Sequence, residues 1–598
     1  MATFFQEDDI LGKAYDARIM RRLLTYVRPY MRLVIAALLL LVLFSLIDLI
    51  GPALTGYAID QYIAPKTQSL SLSARGNGLL LIAGIYLLVL TVGMALRYLH
   101  VFILNVMGQR IMLDMRSQMF DHLQRLALAF FDHNPVGRLM TRLTNDVDSL
   151  NEMFTSGAIS ILSDVLTIVG VTVVLLVINW QLALVTFVVL PPLFWIASYF
   201  RKAMRDNFRA IRVRLARINA YVAENIAGMS IVQLFNRERR NYESFDELNR
   251  DYLKETIRSI LYFILFGSIT NFFSALAVAL IIWYGGGRVL IGALSLGALV
   301  AYLQYVDRFF LPIRDLAEKY NILQSAMASS ERIFKVIDEP IMIQDAPEPK
   351  KFDEVKGEIE FRDVWFAYNP GEWVLKGISL KIRPGERVAL VGATGAGKTS
   401  IISLISRFYD VQKGAILIDG IDIREVRQKE LRRHVGTVLQ DPFIFSGTVA
   451  SNIRLHDEDI SDERMHEAAE YVNAAHFIEQ LPHGYSQEVR ERGAGLSVGQ
   501  KQLLAFARAI AFNPEILLIL DEATSSVDTE TEVLIQDALN KLMTNRTSII
   551  IAHRLSTIRN VDRIIVLHKG RIVEEGSHEE LLNRHGVYHR LYEYQYAQ

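Results

Sequence analysis

Six apolar stretches crowd the first half of this chain, more than the core of a soluble fold accommodates. Read with a window of about 20 residues, the helix length that crosses a hydrocarbon layer of about 30 Å, they are Leu33–Thr55, Gly78–Val106, Gly157–Ile178, Leu182–Phe200, Ile260–Trp283 and Val289–Leu311. The spacing predicts six membrane-spanning helices. Basic residues orient them. The segment from Arg201 to Arg258 carries 13 Lys and Arg, and Arg18, Arg21, Arg22, Arg28 and Arg32 precede the first span, whereas the short loops hold little beyond Lys66, Arg75 and Arg288. By the positive-inside bias the N-terminus, the long loops and everything after the sixth span are expected on the cytoplasmic side of the inner membrane. Met1 to Tyr30 lacks the apolar core of a cleavable signal and reads as an amphipathic basic helix lying on the inner membrane surface.

The loops between spans two and three and between spans four and five run to about 50 and 60 residues with helical periodicity and no Gly/Pro clusters. Such loops read as helices continuing about 35 Å beyond the bilayer. Composition removes other classes. With 64 basic against 65 acidic residues there is no net positive field for nucleic acid, and the absence of Cys excludes disulfide scaffolds, thiolate metal sites and cysteine nucleophiles.

After Arg332 the composition turns soluble. Pro340, Pro347 and Pro349 mark a linker, and from Gly357 short β-rich runs alternate with helical ones, an α/β pattern. The expected division is 1–335 for the membrane domain, 336–356 for the linker and 357–598 for the soluble domain.

Two apolar runs in the soluble half, RVALV (Arg387–Val391) and ILLIL (Ile516–Leu520), read as buried parallel strands. The first leads into GATGAGKT, Gly392–Thr399, which fits the phosphate-loop pattern G-x-x-x-x-G-K-[ST] with a helix expected over Ser400–Tyr409. Glycines let successive N–H groups face a phosphate at a helix N-terminus, Lys398 reaches the β/γ oxygens, and the Thr399 hydroxyl suits Mg²⁺. The second run ends in Asp521-Glu522. A carboxylate there suits the Mg²⁺ shell, and the next one suits activation of an attacking water.

The order of elements resembles the ATP-binding-cassette (ABC) ATPases. Walker A lies at Gly392–Thr399, a Q-loop at Gln440 in VLQDPF, the signature at Leu496-Ser-Val-Gly-Gln500, Walker B at ILLILDE, a D-loop ending at Asp528, and a switch histidine at His553. With the six spans, the chain resembles an exporter-type half-transporter: a helical membrane domain with long cytoplasmic extensions fused to an α/β P-loop NTPase of the ABC type.

The resemblance implies the roles. Tyr368 stacks on adenine, and Gly392, Thr394, Gly395, Ala396, Gly397, Lys398, Thr399 and Ser400 hold the phosphates. Thr399, Gln440 and Asp521 serve Mg²⁺, with Gln440 also counted among the catalytic residues. Glu522 is the general base and His553 contacts the γ-phosphate. Ser497, Gly499 and Gln500, with Asp528, complete ATP bound to a second cassette.

The resemblance further implies coupling helices at Thr141–Asp148 and Tyr221–Gly228, the second docking on the partner's cassette. It also implies a sensing loop at Arg490-Glu491-Arg492-Gly493, where Arg490 replaces the usual Gly.

Val498 departs from the usual LSGGQ. A β-branched residue there crowds the phosphate approach, and LSVGQKQLL is similar to the MdlB-type half of heterodimeric multidrug-like exporters. The implied partner is a different ABC chain with LSGGQ and a degenerate Walker B. The implied activity is ATP-driven export of amphiphilic drugs or lipids from the bilayer by alternating access. A homodimeric lipid flippase and an ATP-gated channel or regulator are the alternatives. Within the spans, the charged residues Asp48, Arg97, Asp164, Asp307 and Arg308 have no role fixed by sequence.

Overall fold

The computed structural model describes residues 16–65, 71–521, 529–552 and 558–596. The chain forms two compact units: Met1–Gln124 with Gly137–Glu339, and Arg125–Val136 with Pro340–Gln598.

The first unit is helical. Its elements, with one excursion into the second unit, are α1 (Ala17–Val27), α2 (Met31–Ala58), α3 (Leu72–Arg125), α4 (Leu128–His133), α5 (Val136–Thr141), α6 (Val147–Glu152), α7 (Ala158–Phe187), α8 (Leu190–Ala227), α9 (Met229–Leu234), α10 (Glu238–Leu290) and α11 (Leu296–Ile337). Among the described residues four helical stretches are long and apolar enough to cross a membrane: Ala17–Ile63, Leu72–Arg125, Val136–Phe187 and Glu238–Leu290. They contain the first, second, third and fifth expected spans.

The break expected between the third and fourth spans at Asn179–Gln181 is present, whereas the start of the sixth needs correction, because an apolar run does not respect helix ends. Asn179 is extended (φ −163, ψ 104) inside α7, and its Oδ1 accepts the Leu182 N–H at 2.9 Å, an N-cap that starts the returning helix. The fourth span therefore begins at Trp180 and passes from α7 into α8. The sixth begins at Leu296, capped by Ser295 Oγ accepting the Ala298 N–H at 3.1 Å, rather than at Val289.

Long extensions are present. The 54 residues of α3 and the 53 of α10 make rods of about 80 Å at about 1.5 Å per residue, far beyond the hydrocarbon thickness. Helix α1 starts at an Asp16 N-cap and turns Leu23 and Val27 into a cluster with Met107, Ile111, Met115 and Val147. Leu23 and Val27 are thus buried against protein, while Leu24 on the same helix stays exposed. Tyr26 donates to Gln118 at 2.7 Å, Tyr30 to Asp114 at 2.8 Å, and Arg22 to Asp338 at 2.5 Å.

Ion pairs run along α11. Arg308 meets Asp48 of α2 at 2.8 Å, Lys319 meets Asp164 of α7, and Arg332 meets Asp146 at 2.5 Å. Charges buried in or near a membrane persist when paired in this way. At the crossing of α2 and α11 a Cβ on Gly297 would lie 2.0 Å from the Gly56 carbonyl oxygen, so only glycine permits the approach.

The second unit is α/β. Its strands are β1 (Ile359–Ala367), β2 (Trp373–Ile382), β3 (Arg387–Val391), β4 (Lys413–Ile418), β5 (Ile421–Asp422), β6 (Val435–Val438), β7 (Gly447–Thr448), β8 (Glu488–Val489), β9 (Ile516–Asp521), β10 (Thr547–Ala552), β11 (Arg563–His568) and β12 (Arg571–Gly576). A six-stranded sheet has the order β12-β11-β3-β10-β9-β6, parallel except for β12, and a four-stranded antiparallel sheet has the order β2-β1-β4-β5. Side chains alternate across the six-stranded sheet. Val388 and Leu390 join one core with β1, β2 and β4, whereas Ala389 and Val391 join another.

Candidate ATP site

The phosphate loop leaves β3 at the C-terminal edge of the sheet. Gly397 has φ +103 and precedes α12 (Lys398–Ile405), and a Cβ on it would fall 2.6 Å from Leu375 Cδ2. No side chain caps α12, so its first N–H groups are left for an anion. The helix begins two residues before the expected Ser400 and ends at Ile405 rather than Tyr409. Lys398 is buried, and its Nζ donates to the Gly392 carbonyl at 2.5 Å and to that of Ala393 at 3.2 Å, across the loop's mouth. Thr394, Gly395 and Thr399 are exposed, whereas Ala396 and Ser400 are buried.

Tyr368 follows β1 and is 44% exposed, leaving a ring face for a base. Its hydroxyl lies 3.0 Å from Ser400 Oγ. Its ring packs edge-on against Phe366 at 4.8 Å and Tyr409 at 5.2 Å. The Tyr409 hydroxyl in turn donates to the Asp132 carboxylate of α4, a helix that clusters with this same unit. Burial first, then the neighbouring carboxylate, pushes the Tyr409 hydroxyl well above the usual phenol range. Sequence reasoning missed Tyr409 and Asp132. The available signal was an aromatic just past the phosphate-loop helix, whose partner lies 277 residues away.

Strand register gathers further expected residues. Ile551 pairs with Leu390 and Leu520, and Ala552 pairs with Asp521, so Asp521 ends its strand level with the start of the phosphate loop. Val438 pairs with Ile519, which brings Gln440, two residues on and exposed, to the same edge. Thr399 and Gln440 offer a hydroxyl and an amide oxygen near this edge, donor types that suit a hard cation such as Mg²⁺. Glu522, Asp528 and His553 lie outside the described residues.

The signature is built differently. Ser497 caps α17 (Val498–Phe512): its Oγ accepts the Gln500 N–H at 3.2 Å, while Gln500 Oε1 accepts the Ser497 N–H at 2.9 Å. Gln500 therefore has a structural task, closing a capping box. A Cβ on Gly499 would lie 2.3 Å from Thr531 Cγ2 of the helix Thr529–Met543. Val498 is 38% exposed. The phosphate-loop helix belongs to the core on one face of the six-stranded sheet, through Ile401 and Leu404, and the signature helix to the core on the other, through Leu503 and Phe506. The two motifs are thus on opposite faces.

Arg508 of α17 donates to the carbonyls of Asn452 at 2.9 Å and Phe443 at 3.3 Å, tying the signature helix to the Q-loop. Gly493 of the expected sensing loop packs against Ile444 and Lys501, between the same two elements. Leu439, Phe443 and Phe445 stay 47–53% exposed beside the Q-loop.

The two segments expected as coupling helices are not separate short helices. Arg142–Asp146, the centre of Thr141–Asp148, is a π-helical turn joined directly to α6, and the detached short helix lies upstream at α4. Tyr221–Gly228 covers about the last two turns of α8 and its C-cap, and the chain breaks at Gly228 before α9. Around α9, Ile226, Ile231, Leu234 and Phe235 are 62–75% exposed.

Comparison with known proteins agrees with this architecture. Residues 34–313 match the family model of the ABC transporter transmembrane region and residues 375–525 match that of the ABC transporter. The chain is 40% identical to the probable multidrug resistance ABC transporter ATP-binding/permease protein YheH of Bacillus subtilis, over 87% of this chain and 78% of that one. It is 40% identical to the fatty acid ABC transporter ATP-binding/permease protein of Mycobacterium bovis, over 82% and 77%. It is 37% identical to the ATP-dependent lipid A-core flippase of Syntrophus aciditrophicus, over 97% and 95%. A phosphate loop on a parallel sheet, fused to apolar helices and matched over nearly its whole length by such relatives, belongs to the ABC transporter family: this is a multi-pass membrane chain that couples ATP hydrolysis to transport.

Proposed function

We propose that this chain is one half of a heterodimeric ABC exporter that moves amphiphilic small molecules, drugs or lipids, out of the cytoplasmic membrane by alternating access. The observation that carries the two-chain reading is the placement of α12 and α17 on opposite faces of the central sheet. A signature on one face is poorly placed to close over the phosphate loop of its own domain, so each ATP needs the signature of a second cassette. The apolar tip at Ile231, Leu234 and Phe235 favours the same conclusion, because such a surface outside the bilayer calls for a protein cover.

Tyr368 stacks on the base, and the loop N–H groups with Lys398 hold the β/γ-phosphates. Thr399, Gln440 and Asp521 would hold Mg²⁺, which neutralises charge developing on the phosphates. Glu522 takes the proton of the attacking water and His553 holds the γ-phosphate. Ser497 and the α17 N-terminus close over the partner's ATP, where the exposed Val498 weakens the fit. The named activities of the relatives, multidrug resistance, fatty acid transport and lipid A-core flipping, all concern apolar or amphiphilic cargo. Cassette closure turns the membrane helices outward and hydrolysis resets them, with the ATPase domain in the cytoplasm.

The test is purification from the native host followed by native mass measurement. The expected species is a 1:1 complex with a second ABC chain bearing LSGGQ and a non-Glu residue after its Walker B Asp. A stable, ATPase-active homodimer overturns the heterodimer.

A further inference from the structure

The end of α12 away from the phosphate loop is built around a buried cation. There the Arg407 N–H donates to the Leu404 carbonyl and the Phe408 N–H to the Ser403 carbonyl, both at 3.0 Å, a closing turn that holds Arg407 at φ +49. Glycine usually takes this position, because a Cβ strains the left-handed backbone. Here it carries a guanidinium side chain 2% exposed. Nη2 donates to the Gln344 carbonyl at 2.9 Å, Nη1 to the Val426 carbonyl at 3.0 Å and Nε to Asp410 Oδ1 at 3.2 Å. Two of these acceptors are neutral, and a desolvated cation held that way stabilises a core less than a well-packed apolar side chain would. Strain and burial together point past packing to what the guanidinium holds.

It holds the linker. At the end of α11, Asp338 Oδ1 accepts from Arg22 Nη2 at 2.6 Å, and His122 Nε2 lies 3.0 Å from the Glu339 carbonyl oxygen. Along the chain, Pro340–Met342 separate that fixed end from Ile343–Asp345, which is fixed in the ATPase unit. One hold is on α13 (Gln428–His434): Gln428 Nε2 donates to the Ile343 carbonyl at 3.1 Å and its N–H to Asp345 Oδ1 at 2.9 Å. The other is Arg407 on Gln344, and it reaches α12. Arg432 fastens the same turn, donating to the Ser406 and Arg407 carbonyls at 3.2 and 3.0 Å. The eight residues of α12 make a rod of about 12 Å, packed through Ile401, Ile402, Leu404 and Ile405. A packed rod this short transmits displacement from end to end.

We propose that Arg407 is a positioning residue that couples nucleotide to the linker: phosphate at the N-terminal end of α12 fixes the helix, and Arg407 passes that constraint to the Gln344 backbone and so to the chain leading from α11. The proposal rests on the ATP-site reading of Gly392–Thr399 and gives that site an output separate from the Tyr409 hydroxyl.

The test compares the purified complex with and without Mg²⁺ and a non-hydrolysable ATP analogue, by hydrogen-exchange mass spectrometry of peptides covering residues 340–351 and 398–406. Nucleotide should slow exchange in both, by about fivefold in the linker, the worth of one net hydrogen bond. Arg407→Met should abolish the linker response and lower transport per ATP hydrolysed, while the response of 398–406 and the KM for ATP stay; Arg407→Lys should return part of both losses. Gln428→Ala should speed linker exchange equally with and without nucleotide. A full linker response in Arg407→Met, or loss of the 398–406 response in that variant, overturns the role. So does a linker response that Gln428→Ala removes and Arg407→Met keeps. The chain has no Cys, so a spin label on Met342→Cys, at a position 66% exposed, follows the linker with Arg407 intact. Nucleotide should restrict the label, and an unchanged spectrum overturns the proposal even where Arg407→Met fails to assemble. A wild-type response in 398–406 without one in the linker overturns the Arg407 role alone; a response in neither peptide overturns the ATP-site reading with it.

Discussion

The bond between Tyr409 and Asp132 ties α4 to the domain that binds ATP, and its strength can be bounded. A neutral hydroxyl donating to a carboxylate contributes about 1.5–3 kcal/mol when shielded. Asp132 is exposed, so water replaces part of that bond and about 1 kcal/mol is the fair expectation. Tyr409→Phe keeps the ring contacts with Tyr368 and Phe366 and removes only the hydroxyl. Amides of α4 open locally to exchange, so about 1 kcal/mol corresponds to about fivefold faster hydrogen exchange. Asp132→Asn should produce a similar change. The double variant should exchange no faster than either single one, because both remove one interaction. Hydrogen-exchange mass spectrometry of peptides covering residues 125–136 reads this directly. Unchanged exchange, or about 25-fold acceleration in the double variant, refutes the link. Transport per ATP hydrolysed should fall in the same variants, with ATP affinity held by the retained rings.

Gly499→Ala places a methyl 2.3 Å from Thr531 Cγ2 and must displace the signature helix; ATPase of the complex should fall at least tenfold while nucleotide photolabelling of this chain persists. Arg332→Ala leaves the Asp146 carboxylate, 6% exposed and otherwise bonded to Ser329 at 2.9 Å, without its cation. Since Arg332 is itself partly exposed, about 2–3 kcal/mol of local stability is expected to be lost, seen as a lower thermal midpoint in detergent that Arg332→Lys partly recovers. Asp562 accepts the Arg387 N–H and guanidinium, both at 2.8 Å, and the side-chain bonds foremost hold its carboxyl below the usual range. A depressed carboxylate contributes stability above its unfolded pKa and loses it as pH falls through the folded one. Asp562→Asn should therefore lower the thermal midpoint at pH 7, and the gap should close below about pH 4; a gap that persists in acid contradicts the assignment.

Much of the architecture was legible without coordinates because it depends on neighbours along the chain. A helix crossing about 30 Å needs some 20 apolar residues in a row, so four helical stretches could be read from hydropathy alone. The strand Arg387–Val391 was placed to the residue, since an apolar run closed by a glycine-rich loop has few other conformations. The break at Asn179 fell in the gap between two expected spans, whereas the start of the last helix, set by the Ser295 cap, is a one-residue signal that hydropathy does not resolve.

Contacts distant in sequence were decided by tertiary structure. The pairing of Asp48 with Arg308 and of Asp164 with Lys319 was not legible in the sequence, because charge type carries no partner. The opposite placement of phosphate loop and signature follows from which strand residues face which core. The grouping of α4 with the ATPase unit follows from packing over 277 residues of separation. Local chemistry thus determined that this chain spans a membrane and binds a nucleotide. Packing decided which charges of the long helices are paired and which face of the sheet carries each ATP motif.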